Sequence, residues 1–253
     1  LSIDPTERVS RVFPGGIAYL RPGIFLNYPG ENMYDTAPFH GFIDGAFADF
    51  LNASAHTLLI DLRDNPGGDN SFSDPMIAWF ADEPFRFTSD FRIRVSPETT
   101  ASNAARRTTG DEGSISAHFS ELYSRARNGD VVSFEIPYAE PRAGQRFTGR
   151  VLVLIKRRSF SNSVNVAAII QDYGFGQVLG EPTSDLATTY GAMEQFSLPN
   201  TELMVGYPKA FILRPNGSTA VAGVTPDITI TTPLIEPAQD PVLEQALAIA
   251  ARR

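Results

Sequence analysis

The sequence predicts an α/β protein with a central, largely parallel sheet and helices packed on it. Three observations carry this. The runs 56–62 and 151–155 are short and continuously apolar, as strands buried on both faces are. Stretches with apolar residues at helical spacing follow them. The resulting strand–helix–strand order joins parallel neighbours by crossovers. With 253 residues, 42% of them hydrophobic, the chain can bury one large core or two modest ones.

The elements follow in order. Gly16–Leu20 and Gly23–Leu26 read as a strand interrupted by Arg21-Pro22, and a Gly/Pro/Asn-rich loop spans 27–38. Phe39, Phe42, Ile43, Ala46, Phe47, Phe50 and Leu51 recur as on one helix face. The apolar strand 56–62 stops abruptly at Arg63-Asp64-Asn65-Pro66-Gly67-Gly68, and a helix is expected over 75–81. The stretch 91–145 is polar, with one expected helix (114–127) and one expected strand (131–136), and reads as an insertion or lid in a single domain, 1–253. Alternation resumes with the strand 151–155 and a helix through Val164, Ala167, Ala168 and Ile170. Short strands are expected at 176–179, 192–198, 202–205 and 210–213. A last helix, 241–251, ends in Arg252-Arg253, cations that suit a helix C-terminus.

Composition excludes several classes. A net charge of −8 with no basic stripe argues against a nucleic-acid partner. Without cysteine there is no disulfide framework, thiol nucleophile or thiolate-bound zinc. No apolar run approaches the ~18 residues of a membrane span. The three histidines, His40, His56 and His118, lack metal-ligand spacing, so neither a metal nor a cofactor is expected. The chain starts at Leu1 with no signal-peptide pattern, which fits either a removed leader or an excised fragment.

Three places could carry chemistry, the third being the paired turns Gly180-Glu181-Pro182-Thr183 and Gly223-Val224-Thr225-Pro226-Asp227, neither diagnostic alone. Asp61-Leu62-Arg63-Asp64-Asn65-Pro66-Gly67-Gly68 leaves the carboxyl end of a buried strand, where α/β sheets bind ligands, and its glycines can present N–H groups to an anion. The same residues also suit a tight turn with Asp61 and Arg63 as a structural ion pair. Ser159-Phe160-Ser161-Asn162-Ser163 lies between an apolar strand and an apolar helix. A serine there sits at a helix N-terminus, where the dipole favours developing negative charge, yet serines are also preferred as plain N-caps.

In combination with Gly180-Glu181-Pro182-Thr183 and Gly223-Val224-Thr225-Pro226-Asp227, these motifs resemble the carboxyl-terminal-processing (tail-specific) serine peptidases. That family also contains the tricorn core and the interphotoreceptor retinoid-binding protein modules. The resemblance implies a crotonase/ClpP-like spiral of β-β-α units, with Ser161 at the nucleophile's place and Asp172 matching a helix-terminal aspartate. The N–H groups of Asn162 and of the Gly67-Gly68 turn match the oxyanion donors. It further implies an exported, periplasmic or envelope-associated endopeptidase acting on protein or peptide chains.

The sequence also departs from that family. No lysine follows Gly180-Glu181-Pro182-Thr183, where the main branch places its general base, and Tyr190-Gly191 stand instead of Lys-Gly. No PDZ domain fits before Gly16. The base is therefore expected at His40, then Lys209, then His118, with Tyr190 as a hydrogen-bond partner of Ser161 and Lys156 pointing away. Two alternatives to a peptidase are a non-catalytic module holding a peptide or apolar ligand, and a crotonase-like acyl-transfer or hydratase enzyme.

Overall fold

The two continuous apolar runs form neighbouring strands at the centre of a six-stranded sheet. The computed structural model describes residues 4–107, 114–233 and 239–252. In spatial order the sheet runs β1 (Val9–Phe13), β2 (Ile17–Arg21), β3 (Thr57–Asp61), β6 (Arg150–Ile155), β7 (Gln177–Gly180) and β10 (Ile228–Thr229). Only β1 and β2 pair antiparallel; the other pairs are parallel, the largely parallel α/β arrangement expected. β3 and β6 pair from Thr57–Arg150 to Asp61–Leu154, so both end at the same sheet edge. The glycine turn and the serine turn leave that edge together.

Side-chain alternation divides the core in two. Leu58, Ile60, Val151, Val153 and Ile155 pack on one face with α1 (Ala37–Asn52), α2 (Asn70–Ile77) and α5 (Asn162–Asp172). Leu59, Leu152 and Leu154 pack on the other with α6 (Pro241–Ala250). Strands covered on both faces need no polar alternation, which is why these runs read as continuous. On α1 the helically spaced Phe39, Ile43, Ala46, Phe47 and Phe50 are buried, and Phe47 stacks on Trp79 with ring centroids 5.0 Å apart.

α2 begins at Asn70, five residues before the expected start at Pro75. Asp69 caps it, its side chain accepting Ser71 N–H at 2.8 Å. Pro75 suggests a first turn but lies inside the helix, where it cannot donate to the carbonyl of Ser71. His40 Nε2–H fills that vacant bond at 3.0 Å.

The chain forms two compact units. The first comprises Leu1–Phe87, Tyr138–Ala187 and Val221–Arg253, the second Thr88–Pro137 and Thr188–Ala220. The second unit has its own antiparallel sheet, ordered β5 (Val131–Phe134), β4 (Asp90–Arg94), β9 (Met204–Leu213), β8 (Thr189–Ser197), with helices α3 (Pro97–Ala105) and α4 (Ile115–Ser124). Most of the polar stretch expected as an insertion thus shares a sheet with 188–220; residues 108–113 of it, like Arg253, lie outside the described residues. β9 is one strand where two were expected. Of β9, only Ala210–Leu213 pair with β4, so Pro208 lies where no partner on that side needs its missing N–H. No helix among the described residues is long and apolar enough to cross a membrane.

Candidate active site

The Asp61–Gly68 motif divides into a structural half and a half that meets the serine turn. Asp61 and Arg63 are buried and paired, Arg63 Nη2 lying 2.7 Å from Asp61 Oδ2. Tyr19 Oη donates to the same carboxylate at 2.9 Å, and Arg63 continues to both oxygens of Asp240, the N-cap of α6. This is the structural ion pair foreseen as one reading of the motif.

Asn65 begins the other half. Buried, its side chain donates to Gly23 C=O and accepts Gly67 N–H, both at 2.8 Å. Its own carbonyl accepts Phe160 N–H and Ser163 Oγ–H, each at 3.0 Å. One asparagine thereby fastens the glycine turn to the serine turn. The approach is close enough to require glycine: at Gly67, φ +88°, a Cβ would lie 2.7 Å from Asn162 N, Phe160 O and Ser161 Cβ.

The three serines of the second turn are not equivalent. Ser159 is buried and donates to Leu62 C=O at 2.8 Å, while Ser163 is buried and accepts Phe160 N–H at 2.8 Å. Both are staples. Ser161 is exposed, and although it holds the N-cap position its side chain makes no cap hydrogen bond. Its backbone is strained, at φ 52° and ψ −125°, a region L-residues rarely occupy. Strain of this kind holds a nucleophile on a sharp strand-to-helix turn, with its hydroxyl presented to solvent. The plain-cap reading does not describe this residue.

Around Ser161, two N–H groups, those of Asn162 and Gly68, have no partner among the described residues. Asn162 opens α5, and its side chain is tied to Ser73 Oγ at 2.9 Å, which fixes the helix start. Unpaired amides at a helix N-terminus favour an oxyanion. The Ser161 N–H is occupied by Asp185 Oδ2 at 2.5 Å. Asp185 was missed in the sequence, although it stands in the loop after Gly180-Glu181-Pro182-Thr183 where the resemblance directs attention to a lysine.

The side chains of two of the expected bases, His40 and Lys209, have partners of their own. Besides its bond to Ser71, His40 edges against Phe39. Lys156 pairs with Asp64, its Nζ 2.7 Å from the carboxylate. His118, Tyr190 and Lys209 belong to the second unit. There Tyr190 is exposed with its ring against Phe211, and His118 lies on α4. Lys209 Nζ bonds Glu194 at 2.8 Å and lies over the Phe119 ring. Burial pushes the Lys209 ammonium below its ordinary value, against the pull of Glu194.

Glu194 also accepts from Arg106 and Ser102. Burial raises its pKa, but these donors outweigh burial and hold it at about 2, below the ordinary 4.5. A depressed carboxylate contributes stability that is present above its unfolded value and lost as pH falls through the folded one. Glu194→Gln is therefore expected to lower the denaturation midpoint of the second unit at pH 7. The difference from wild type should shrink below about pH 4.5 and vanish near pH 2. Amide exchange across β8 and β9 measures it, and a difference independent of pH would refute the assignment.

Comparison with known proteins agrees with this geometry. The profile of peptidase family S41 matches residues 32–230. No curated protein matches the chain in sequence. Among solved structures, mature CPAF is similar with a TM-score of 0.63 at 15% identity, over 88% of this chain and 49% of its own. The photosystem II D1 C-terminal processing protease gives 0.53 at 17% identity, over 100% and 54%. A lipoprotein from Streptococcus agalactiae gives 0.53 at 9% identity, over 96% and 69%. At these identities the likeness is one of fold, and the chain spans about half the length of the first two structures. The family profile, however, covers most of the sequence and both turns that meet at Ser161, and on that match the chain belongs to peptidase family S41.

Proposed function

We propose that this protein is a serine endopeptidase of the carboxyl-terminal-processing type, hydrolysing peptide bonds through an acyl-enzyme on Ser161. The observation that carries the reading is the strained Ser161 backbone with an exposed, uncapped hydroxyl. Ser161 Oγ attacks the scissile carbonyl, and the carbonyl oxygen takes up the negative charge. The N–H groups of Asn162 and Gly68 hold that oxygen; Gly67 N–H is taken by Asn65. The amine leaves, and water releases the acyl group. The substrate is a protein or peptide chain, bound extended as an added strand, and the same reading assigns the protein to the periplasm or cell envelope.

The test is labelling of the protein with a fluorophosphonate probe, followed by peptide mapping. Modification at Ser161, lost in Ser161→Ala, is the expected result. No labelling of the wild-type protein would sink the peptidase reading and favour a module that holds its ligand without cutting it, as the missing lysine after Thr183 also would.

A further inference from the structure

The loop that lacks the lysine brings a carboxylate to the nucleophile instead. Asp185 Oδ2 accepts the backbone N–H of Ser161 at 2.5 Å, and Asp185 is half-buried. Its loop is fixed from both sides. Thr183 N–H donates to Val224 C=O at 3.2 Å and its hydroxyl to Asp185 C=O at 2.8 Å, while that hydroxyl accepts Val224 N–H at 3.0 Å. Ser184 N–H donates to Arg157 C=O at 3.1 Å, and Ala187 N–H to Ala222 C=O at 3.0 Å. The Arg157 contact ties the loop to the turn that leads into Ser161. Asp185 is thus held in place before any substrate binds, the condition for efficient proton transfer.

A carboxylate that accepts a residue's backbone N–H is placed to accept its side-chain hydroxyl as well. This molecule contains such a pair: Asp4 Oδ1 accepts Thr6 N–H at 2.8 Å and Thr6 Oγ1–H at 2.7 Å. At Ser161 the same arrangement needs only rotation of the hydroxyl about χ1, because no bond among the described residues holds it elsewhere.

From this geometry we infer that Asp185 is the general base for Ser161. The inference rests on the reading of Ser161 as the acyl-enzyme nucleophile. As Oγ bonds to the carbonyl carbon, its proton passes to the Asp185 carboxylate, and the C=O π electrons move to the oxygen held by Asn162 and Gly68. The site carries one negative charge before and after this step, moved from Asp185 to the oxyanion, so the two never repel. When the oxyanion collapses, the C–N bond breaks and the Asp185 proton goes to the leaving amine. Water then attacks the ester and gives a proton to Asp185. That proton returns to Ser161 Oγ as the acid product departs.

The substitution Asp185→Asn separates proton transfer from positioning. Its amide oxygen still accepts Ser161 N–H but cannot take a proton, whereas Asp185→Ala loses both roles. Fluorophosphonate labelling rates at Ser161 and hydrolysis of a denatured protein substrate are measured for wild type, both variants and Ser161→Ala. Asp185→Asn is expected to fall by about 10²–10⁴-fold with an unchanged urea midpoint, and its residual rate to climb with pH as hydroxide replaces the base. Wild-type rates in Asp185→Asn, with or without a loss in Asp185→Ala, would overturn the base assignment and leave the nucleophile standing. A wild-type protein unlabelled at Ser161 would overturn both.

Discussion

The Gly67→Ala substitution is expected to suppress reactivity at Ser161 by on the order of 10²–10³-fold and to cost about 2–5 kcal/mol of stability. Two effects combine. A Cβ at this position meets Asn162 N, Phe160 O and Ser161 Cβ at 2.7 Å, and two of these atoms are backbone that cannot swing aside. The residue also sits at φ +88°, which an L side chain adopts only with strain. The clash separates the two turns that Asn65 joins, so the proposed donors move away from the proposed nucleophile, Ser161, and a displacement near 1 Å already costs about 10²-fold. Gly174→Ala is the control. That glycine has φ +72° just beyond α5 but nothing within 4 Å of its Cβ position, so only the backbone cost of about 1–2 kcal/mol is expected. Urea unfolding followed by the fluorescence of Trp79, the sole tryptophan and buried in the first unit, measures both. Equal destabilisation by the two variants would show that the turns are not in forced contact.

The parts of the fold legible in the sequence are those whose burial leaves a period. β3, β6, α1, α5 and α6 bury apolar residues continuously or on one helix face, and all were expected close to where they lie. α3 was not, because it buries Thr99 and Asn103, which give no apolar stripe. β1 was missed because an edge strand carrying Ser10 and Arg11 is only half-buried along its length. β4 does alternate, with Phe91 and Ile93 buried and Arg92 and Arg94 exposed, but five residues within a polar stretch are too few to stand out. At the site, the two motifs identified both turns, since a glycine turn and a helix-opening serine announce themselves by residue type. Asp185 had no such marker. Its place beside Ser161, 24 residues earlier, depends on Thr183 bonding Val224, a contact that no local spacing encodes.

Removing the Arg63 guanidinium is expected to destabilise the first unit by about 3–5 kcal/mol, the cost of leaving one member of a buried ion pair alone. Arg63 serves two carboxylates on opposite sides of its fork. Asp61, 1% exposed, takes Nε and Nη2 together with the Arg63 backbone N–H, and Asp240 takes Nη1 and Nη2 at 2.9 and 2.8 Å. Burial works against the charged guanidinium, but the two carboxylates outweigh it and hold its pKa above the ordinary value. In Arg63→Met, Asp61 would keep only a backbone N–H and the Tyr19 hydroxyl, in surroundings that exclude water. Asp240, less buried, would keep its cap bond to Leu243 N–H. Arg63→Lys retains the charge but cannot serve both carboxylates bidentately, so an intermediate loss is expected. Asp240→Ala removes a helix cap and the more exposed half of the network and should cost about 1–2 kcal/mol. The order Arg63→Met, Arg63→Lys, Asp240→Ala in decreasing cost, read from urea midpoints of Trp79 fluorescence, tests where the energy lies. If Arg63→Met cost no more than Asp240→Ala, the buried pair with Asp61 would contribute little. The role of Arg63 would then reduce to anchoring the start of α6.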